Sequence, residues 1–248
     1  MFKNIPPVTK NLLLLNIMFF VVSFVLAMNQ IHISDRLGAH YFNSVLFEPF
    51  QVVTHMFMHS IDSPFHIFFN MFLLVMFGGH LERVWGSKKY FVFYIASGLG
   101  ALVLYNTIGM YEIIQLKNTI LSEKLIDIDT FNNVILDNAE KGVYYEYSSA
   151  AMTQYELFNR STMIGASGAI FGLLAGFAML FPNTELMLLF PPIPIKAKYL
   201  IGGYLVFEIY SSLNQSNDNV AHLAHVGGAV VGIILILVWR KRDRKNFW

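Results

Sequence analysis

The chain of 248 residues contains no cysteine. Disulfides, thiol nucleophiles and cysteine-ligated metals are therefore excluded, and the redox compartment stays unread. Charge is also scarce. Asp, Glu, Lys and Arg make up 13% of the residues, about half of the ~25% usual in soluble domains. The net charge of +1 gives no excess of either sign, so nothing points to nucleic acid or another polyanion. The helical zinc-hydrolase motif H-E-x-x-H is missing. In place of charge the chain carries 55% hydrophobic residues and a mean hydropathy of +0.51. Length alone would allow one or two soluble domains. Composition overrides that prior and predicts a polytopic membrane protein.

A spanning helix needs ~20 mostly apolar residues. The sequence predicts such helices over residues 11–28, 65–79 or on to 85, 89–109, 164–181, 198–213 and 222–239. The first run is followed by Asn29 and Gln30 rather than a small-residue cleavage site, so it reads as a retained span. The fold class expected is an all-α membrane protein, a six-transmembrane-helix bundle with both termini inside. That arrangement gathers Lys3, Lys10, Arg83, Lys88, Lys89, Lys196, Lys198 and the basic run Arg240, Lys241, Arg242, Arg244 and Lys245 on one side, as the positive-inside rule asks. Residues 1–248 then form one membrane domain. Its outer interfacial loop, 29–63, is rich in Tyr41, Phe42, Phe47, Phe50 and Phe57. A long polar outer loop covers 110–162. Loops of that length usually carry structure of their own, and short amphipathic helices are expected near 112–125 and 129–139. Pro191, Pro192 and Pro194 predict an inner turn.

Polar groups at lipid depth are costly and are candidates for function. Ser167 stands in Gly165-Ala166-Ser167-Gly168 at the start of the fourth span. Glycines at 168, 172 and 176 give that helix a smooth face, and from this segment alone Ser167 reads equally well as a packing serine. Gly228 and Gly232 make a second small face, with His225 one turn earlier on the same side. If these two helices pair, His225 can take the Ser167 proton, as a weak hydroxyl nucleophile requires. His222 competes for that role, but the glycine spacing favours His225. His66 and Asn70 share one face of the second span and could donate to an oxyanion, or could satisfy each other. His55 and His59 read as structural. A metal site of His55, His59, His66 and Glu82 finds no inward carboxylate at the right depth. No acid is expected inside a span near these groups; Glu208 in the fifth span is the only buried acid candidate, and reads equally as packing against a polar partner at an inner position. The expectation is a Ser-His dyad without a carboxylate.

Together these elements resemble the rhomboid family of intramembrane serine proteases. The resemblance rests on His66-x-x-x-Asn70, Gly165-Ala166-Ser167-Gly168 and Ala224-His225-x-x-Gly228-x-x-x-Gly232, in that order on separate spans. Thr54-His55-Met56-Phe57-Met58-His59 and Gly78-Gly79-x-x-Glu82-x-x-x-Gly86 extend it. It departs where many relatives carry Trp-Arg ahead of the Thr-His segment, since Phe50-Gln51 stands here. It departs again after the glutamate, where Arg83 and Val84 stand in place of an arginine two residues on.

The resemblance implies a rhomboid-type bundle and a serine endopeptidase acting on transmembrane protein substrates within the lipid bilayer. Ser167 would be the nucleophile and His225 the general base and acid. His66, Asn70 and Gly165 would form the oxyanion pocket. Phe171 would support the histidine, beside Gly168, Gly228 and His222, and the segment from Ser211 to Ala221 would gate water. No cofactor, metal or nucleic acid is expected. The protein is expected to act as a monomer in a bacterial inner (plasma) membrane. Two other readings stay open: a client-binding relative without activity, and a small transporter or channel whose histidines relay protons.

Overall fold

The computed structural model describes residues 4–187, 192–213 and 221–242. Lys3, Pro191, Arg244, Lys245 and positions 214–220 of the expected gating segment lie outside the described residues. Helix α1 (Pro7–Ala27) has proline in its first turn, where the missing N–H has no helical partner to lose. Short helices α2 (Ser34–Leu37) and α3 (Gln51–Thr54) follow, and a 3-10 turn, His55–Phe57, continues α3. Helix α4 (Pro64–Leu73) runs through a π-turn, Leu74–Gly78, into α5 (Gly79–Trp85). Then come α6 (Ser87–Ser122), α7 (Ile128–Lys141), α8 (Ala150–Arg160) and α9 (Ser167–Leu180). An antiparallel pair, β1 (Glu185–Met187) and β2 (Pro194–Lys196), leads to α10 (Ala197–Leu213) and α11 (His222–Arg242).

Four of the described helical segments are long and apolar enough to cross a membrane: Pro7–Ala27, Pro64–Trp85, Ser87–Ser122 and His222–Lys241. The other two expected spans are shorter. Helix α9 has 14 residues, and α10 has 17 and carries Lys198 and Glu208. The helix expected near 112–125 is not separate, because α6 runs unbroken for 36 residues. No proline interrupts it, and the ring of Tyr41 packs against Gly109 where a side chain would stand.

Glycine sets the centre of the bundle. A Cβ on Gly228 would strike the Gly168 carbonyl, and one on Gly232 would meet the Gly172 Cα at 2.9 Å. Gly227 likewise approaches the Gly100 carbonyl. Helices α6, α9 and α11 thus touch backbone to backbone, a contact that small residues permit and larger ones prevent. Around them Leu74, Leu81, Tyr90, Phe93, Tyr94 and Leu173 form the main apolar cluster. Helix α1 turns Leu14, Met18, Val21 and Val25 outward, as a helix bathed in lipid would.

A second cluster lies beyond the bundle. Ile113 and Ile120 of α6, Ile128, Phe131 and Ile135 of α7, Tyr155 of α8 and Tyr41 are buried together. The Asp127 side chain caps α7 by accepting from the Thr130 N–H at 3.0 Å, and Gly142 ends it with φ 66°.

Candidate active site

The approach to Ser167 is held from both sides. Ala39 and Met163 exchange backbone hydrogen bonds of 2.9 and 2.8 Å, and the Gly165 N–H donates to the His55 carbonyl at 2.9 Å. Gly165 has φ +122°, a backbone state that side chains rarely tolerate. The chain then enters α9 at Ser167. The first N–H groups of a helix have no partner within it, so the Ser167 amide points out of the helix start with the positive end of its dipole.

The paired glycine faces bring His225 to this point. Its Nε2 lies 2.9 Å from the Ser167 Oγ. Phe171, one turn after Ser167, stacks on the imidazole at 4.2 Å between centroids and 9° between planes. His222 does not contact the serine in the hydrogen bonds described; its Nδ1 turns to Glu208.

The expectation that no acid stands near the pair is corrected. Ile201, Glu208 and Ser211 are the buried residues along α10 past its first turn, and their spacing makes one helical stripe facing the bundle. The Glu208 Oε2 lies 2.9 Å from His225 Nδ1 and 2.6 Å from His222 Nδ1. The residue is 1% exposed. The signal was present in the sequence, as an ionisable residue within an apolar helix. The pattern did not say which neighbour that stripe would meet.

His66 is aimed at the same space. Its Nδ1 accepts from the Ser60 N–H at 3.3 Å, so the neutral ring carries its proton on Nε2. That Nε2 lies 2.9 Å from where a Cβ on Gly165 would stand, and the Ser167 Oγ lies 3.6 Å from the same point. Asn70 is buried, and its Nδ2 donates to the His66 carbonyl at 2.7 Å. A second amide proton remains on that nitrogen. A cavity of about 10 Å³ borders Ser167, Gly165, His55 and Ala224, near the least volume that holds one water.

His55 donates from Nδ1 to the Gln51 carbonyl at 2.8 Å, the only carbonyl-facing role open to that nitrogen. Burial pushes its pKa down to about 4 and that of His59 down to about 3. Gln51, at a position where the family resemblance led to arginine, bonds the carbonyls of Arg36 and Leu46 through Nε2 and the His40 N–H through Oε1. It ties the 29–63 segment together. Glu82 stands apart from all these histidines: it accepts from Val8, Thr9 and Ser87. The histidine-and-Glu82 metal set therefore does not assemble.

A different trio, Glu208, His222 and His225, has ligand atoms within 4.8 Å of one another. Ligands about 2.0–2.1 Å from a tetrahedral zinc would be about 3.3 Å apart. The 2.6 and 2.9 Å separations are hydrogen-bond lengths instead.

Comparison with known proteins adds an independent finding. A family model described as "Rhomboid domain" matches residues 46–114 and 141–242. "Rhomboid protease AarA" of Providencia stuartii is 24% identical over 191 residues, covering 74% of this chain and 53% of that protein. "RHOMBOID-like protein 12, mitochondrial" of Arabidopsis thaliana is 26% identical over 197 residues, covering 79% and 47%. An uncharacterized mitochondrial rhomboid protein of Schizosaccharomyces pombe is 33% identical over 100 residues, covering 35% and 25%. The chain spans about half the length, or less, of the curated relatives it matches.

Proposed function

The chain belongs to the rhomboid family of multi-pass membrane proteins, and on that premise we propose that it is an intramembrane serine endopeptidase cutting transmembrane helices of other proteins. The observation that carries this reading is the 2.9 Å contact between the Ser167 Oγ and the His225 Nε2, at the start of a short helix and beside Gly165 and His66.

Ser167 attacks the scissile carbonyl as its proton passes to His225 Nε2, and the carbonyl π pair moves onto oxygen. The His66 Nε2–H, the free Asn70 amide proton and the Ser167 backbone N–H are the donors for that oxyanion. Collapse breaks the C–N bond, and His225 returns the proton to the leaving amine. Water then attacks the acyl-enzyme, His225 takes its proton, and Ser167 leaves reprotonated with the new carboxyl end released. Phe171 keeps the imidazole from rotating out of line. The bilayer is the working medium, reached through six helices with both termini inside, in a monomer. A bacterial inner membrane is the proposed location, with no metal or cofactor in the reaction.

A fluorophosphonate probe on the detergent-solubilised protein tests this. Wild type is expected to label, and Ser167→Ala and His225→Ala are expected to lose labelling and cleavage of a single-span peptide by at least about 1,000-fold. Equal cleavage by Ser167→Ala would overturn the reading. Loss in His222→Ala with full activity in His225→Ala would overturn the choice of base.

A further inference from the structure

We infer that Glu208 is a positioning residue of this site, holding His225 in the one tautomer that can accept the Ser167 proton and facing the charge that His225 then gains. The inference rests on the protease reading above and goes beyond the dyad that the sequence led us to expect.

The two nitrogens of one imidazole are used in opposite directions. His225 Nε2 meets the Ser167 Oγ at 2.9 Å, and Nδ1 meets the Glu208 Oε2 at 2.9 Å. An ionised carboxylate can only accept hydrogen bonds. Nδ1 must then carry the proton, and Nε2 presents its lone pair to the serine hydroxyl. With no acceptor behind it, a neutral histidine would be free to hold its proton on Nε2, and the serine would face a donor. A base oriented by a third group in this way is the usual arrangement of an activated hydroxyl nucleophile.

His222 has a defined part in this. Its Nδ1 donates to the same Oε2 at 2.6 Å. A buried carboxylate is costly unless it is hydrogen-bonded, and two imidazole N–H groups donate to its Oε2 from α11, on the turn where that helix begins. The carboxylate is thereby fixed in line with His225 rather than swinging to solvent. Tyr204, one turn earlier on α10, lies 5.1 Å from the Phe171 ring that stacks on His225. Helix α10 thus reaches the catalytic imidazole by two routes, one through its edge nitrogen and one through its face.

During the first step the Ser167 O–H bond breaks and the proton goes to His225 Nε2. The Nδ1 proton stays on His225, hydrogen-bonded to Glu208. The imidazolium and the carboxylate then sit as a buried opposite-charge pair, and no proton moves to Glu208. Since the low-polarity surroundings strengthen such a pair, the barrier is lower than for a bare dyad.

The test uses the full chain in proteoliposomes with a quenched single-span peptide, in wild type, Glu208→Gln, Glu208→Asp and Ser167→Ala. Glutamine keeps the shape and removes the charge. Its kcat is expected to fall about 100-fold or more with KM unchanged within twofold, in line with loss of a base's orienting carboxylate. Fluorophosphonate labelling should slow to match, with no shift in the thermal midpoint. Aspartate should recover at least tenfold of the lost rate. Full kcat in Glu208→Gln would overturn the inference. So would equal losses in both variants that follow a lowered thermal midpoint. Histidine nitrogen NMR gives a reading that needs no turnover: wild-type His225 is expected to carry its proton on Nδ1, and in Glu208→Gln to shift it toward Nε2. A wild-type His225 protonated on Nε2 alone would overturn the assignment. Cleavage that persists in Ser167→Ala would instead bring down the protease reading itself, and the NMR result would still report on Glu208.

Discussion

Among the described residues Glu82, Glu156 and Glu208 are buried almost equally, at 2%, 1% and 1% exposure, and the partners of Glu82 and Glu208 differ. Glu82 accepts from the Val8 and Thr9 backbone N–H groups and from the hydroxyls of Thr9 and Ser87, at 2.7 to 2.9 Å. All four donors hold their protons at any ordinary pH. The carboxylate sits on the free N–H groups of the first turn of α1, where the helix dipole favours a negative charge, and it ties that turn to α5 and the start of α6. Glu208 accepts from His222 and His225, donors that exchange protons, and one of them touches a hydroxyl. The same side chain at the same burial makes an anchor when its donors are inert. On the reading proposed above, it makes part of a reaction centre when one of its donors also meets a hydroxyl nucleophile.

The comparison can be broken most severely at the contact that carries the second case. Gly228→Ala puts a methyl group into the Gly168 backbone. The helices must part, and since misplacing a base by about 1 Å can cost about 100-fold, activity should fall by at least that factor, with a lowered unfolding midpoint. Glu82→Ala should separate the two roles. It strips an acceptor from four buried or part-buried donors, and stability should fall by about 3 kcal/mol in denaturant titration. Labelling per folded molecule should stay at the wild-type rate, and a selective loss of rate there would blur the distinction.

Acid should act through the neighbourhood of the second case. His55 and His59 titrate near 4 and 3 in the folded chain, against about 6.5 when unfolded. Below pH 6.5 the unfolded chain gains protons that the folded one refuses, so stability is full above that pH and declines as pH falls toward 3. Both His59 ring nitrogens lack a hydrogen-bond partner among the described residues, and His59→Leu should flatten the decline in a stability-versus-pH series. The smallest effect is expected at the anchor. Thr9→Val removes one hydroxyl and leaves the two backbone bonds to Glu82, so a loss of about 1 kcal/mol is the outcome to measure.

Local spacing made part of this legible. The glycines at 168, 172, 228 and 232 recur at the helical interval, and the structure pairs the two helices through them. Ser167 and His225 followed from that pairing. His66 and Asn70 share one helix face, as their spacing required, although Asn70 spends one amide proton on the His66 carbonyl. Glu208 was visible as an acid in an apolar helix, but helical period cannot say which face of α10 meets which neighbour. Its role depends on a contact across 17 positions of sequence. The anchor at Glu82 escaped for the same reason, since Val8 and Thr9 lie 74 and 73 positions away. The boundary of α6 was misjudged because polarity marks where water begins and not where a helix stops.

That unbroken α6 has a consequence for how the molecule loosens. At 36 residues it is about 54 Å long, well beyond the ~30 Å of a hydrocarbon core. One end is buried among Phe93, Ser97 and Ala101, and the other carries Ile113 and Ile120 into the cluster with α7 and α8. The two clusters therefore share a single run of backbone hydrogen bonds. Fraying cannot begin at a hinge between them, because there is no hinge. Amides from 113 to 120 should exchange with deuterium as slowly as those near 97, as one cooperative unit with the bundle, while α7 and α8 open ahead of them.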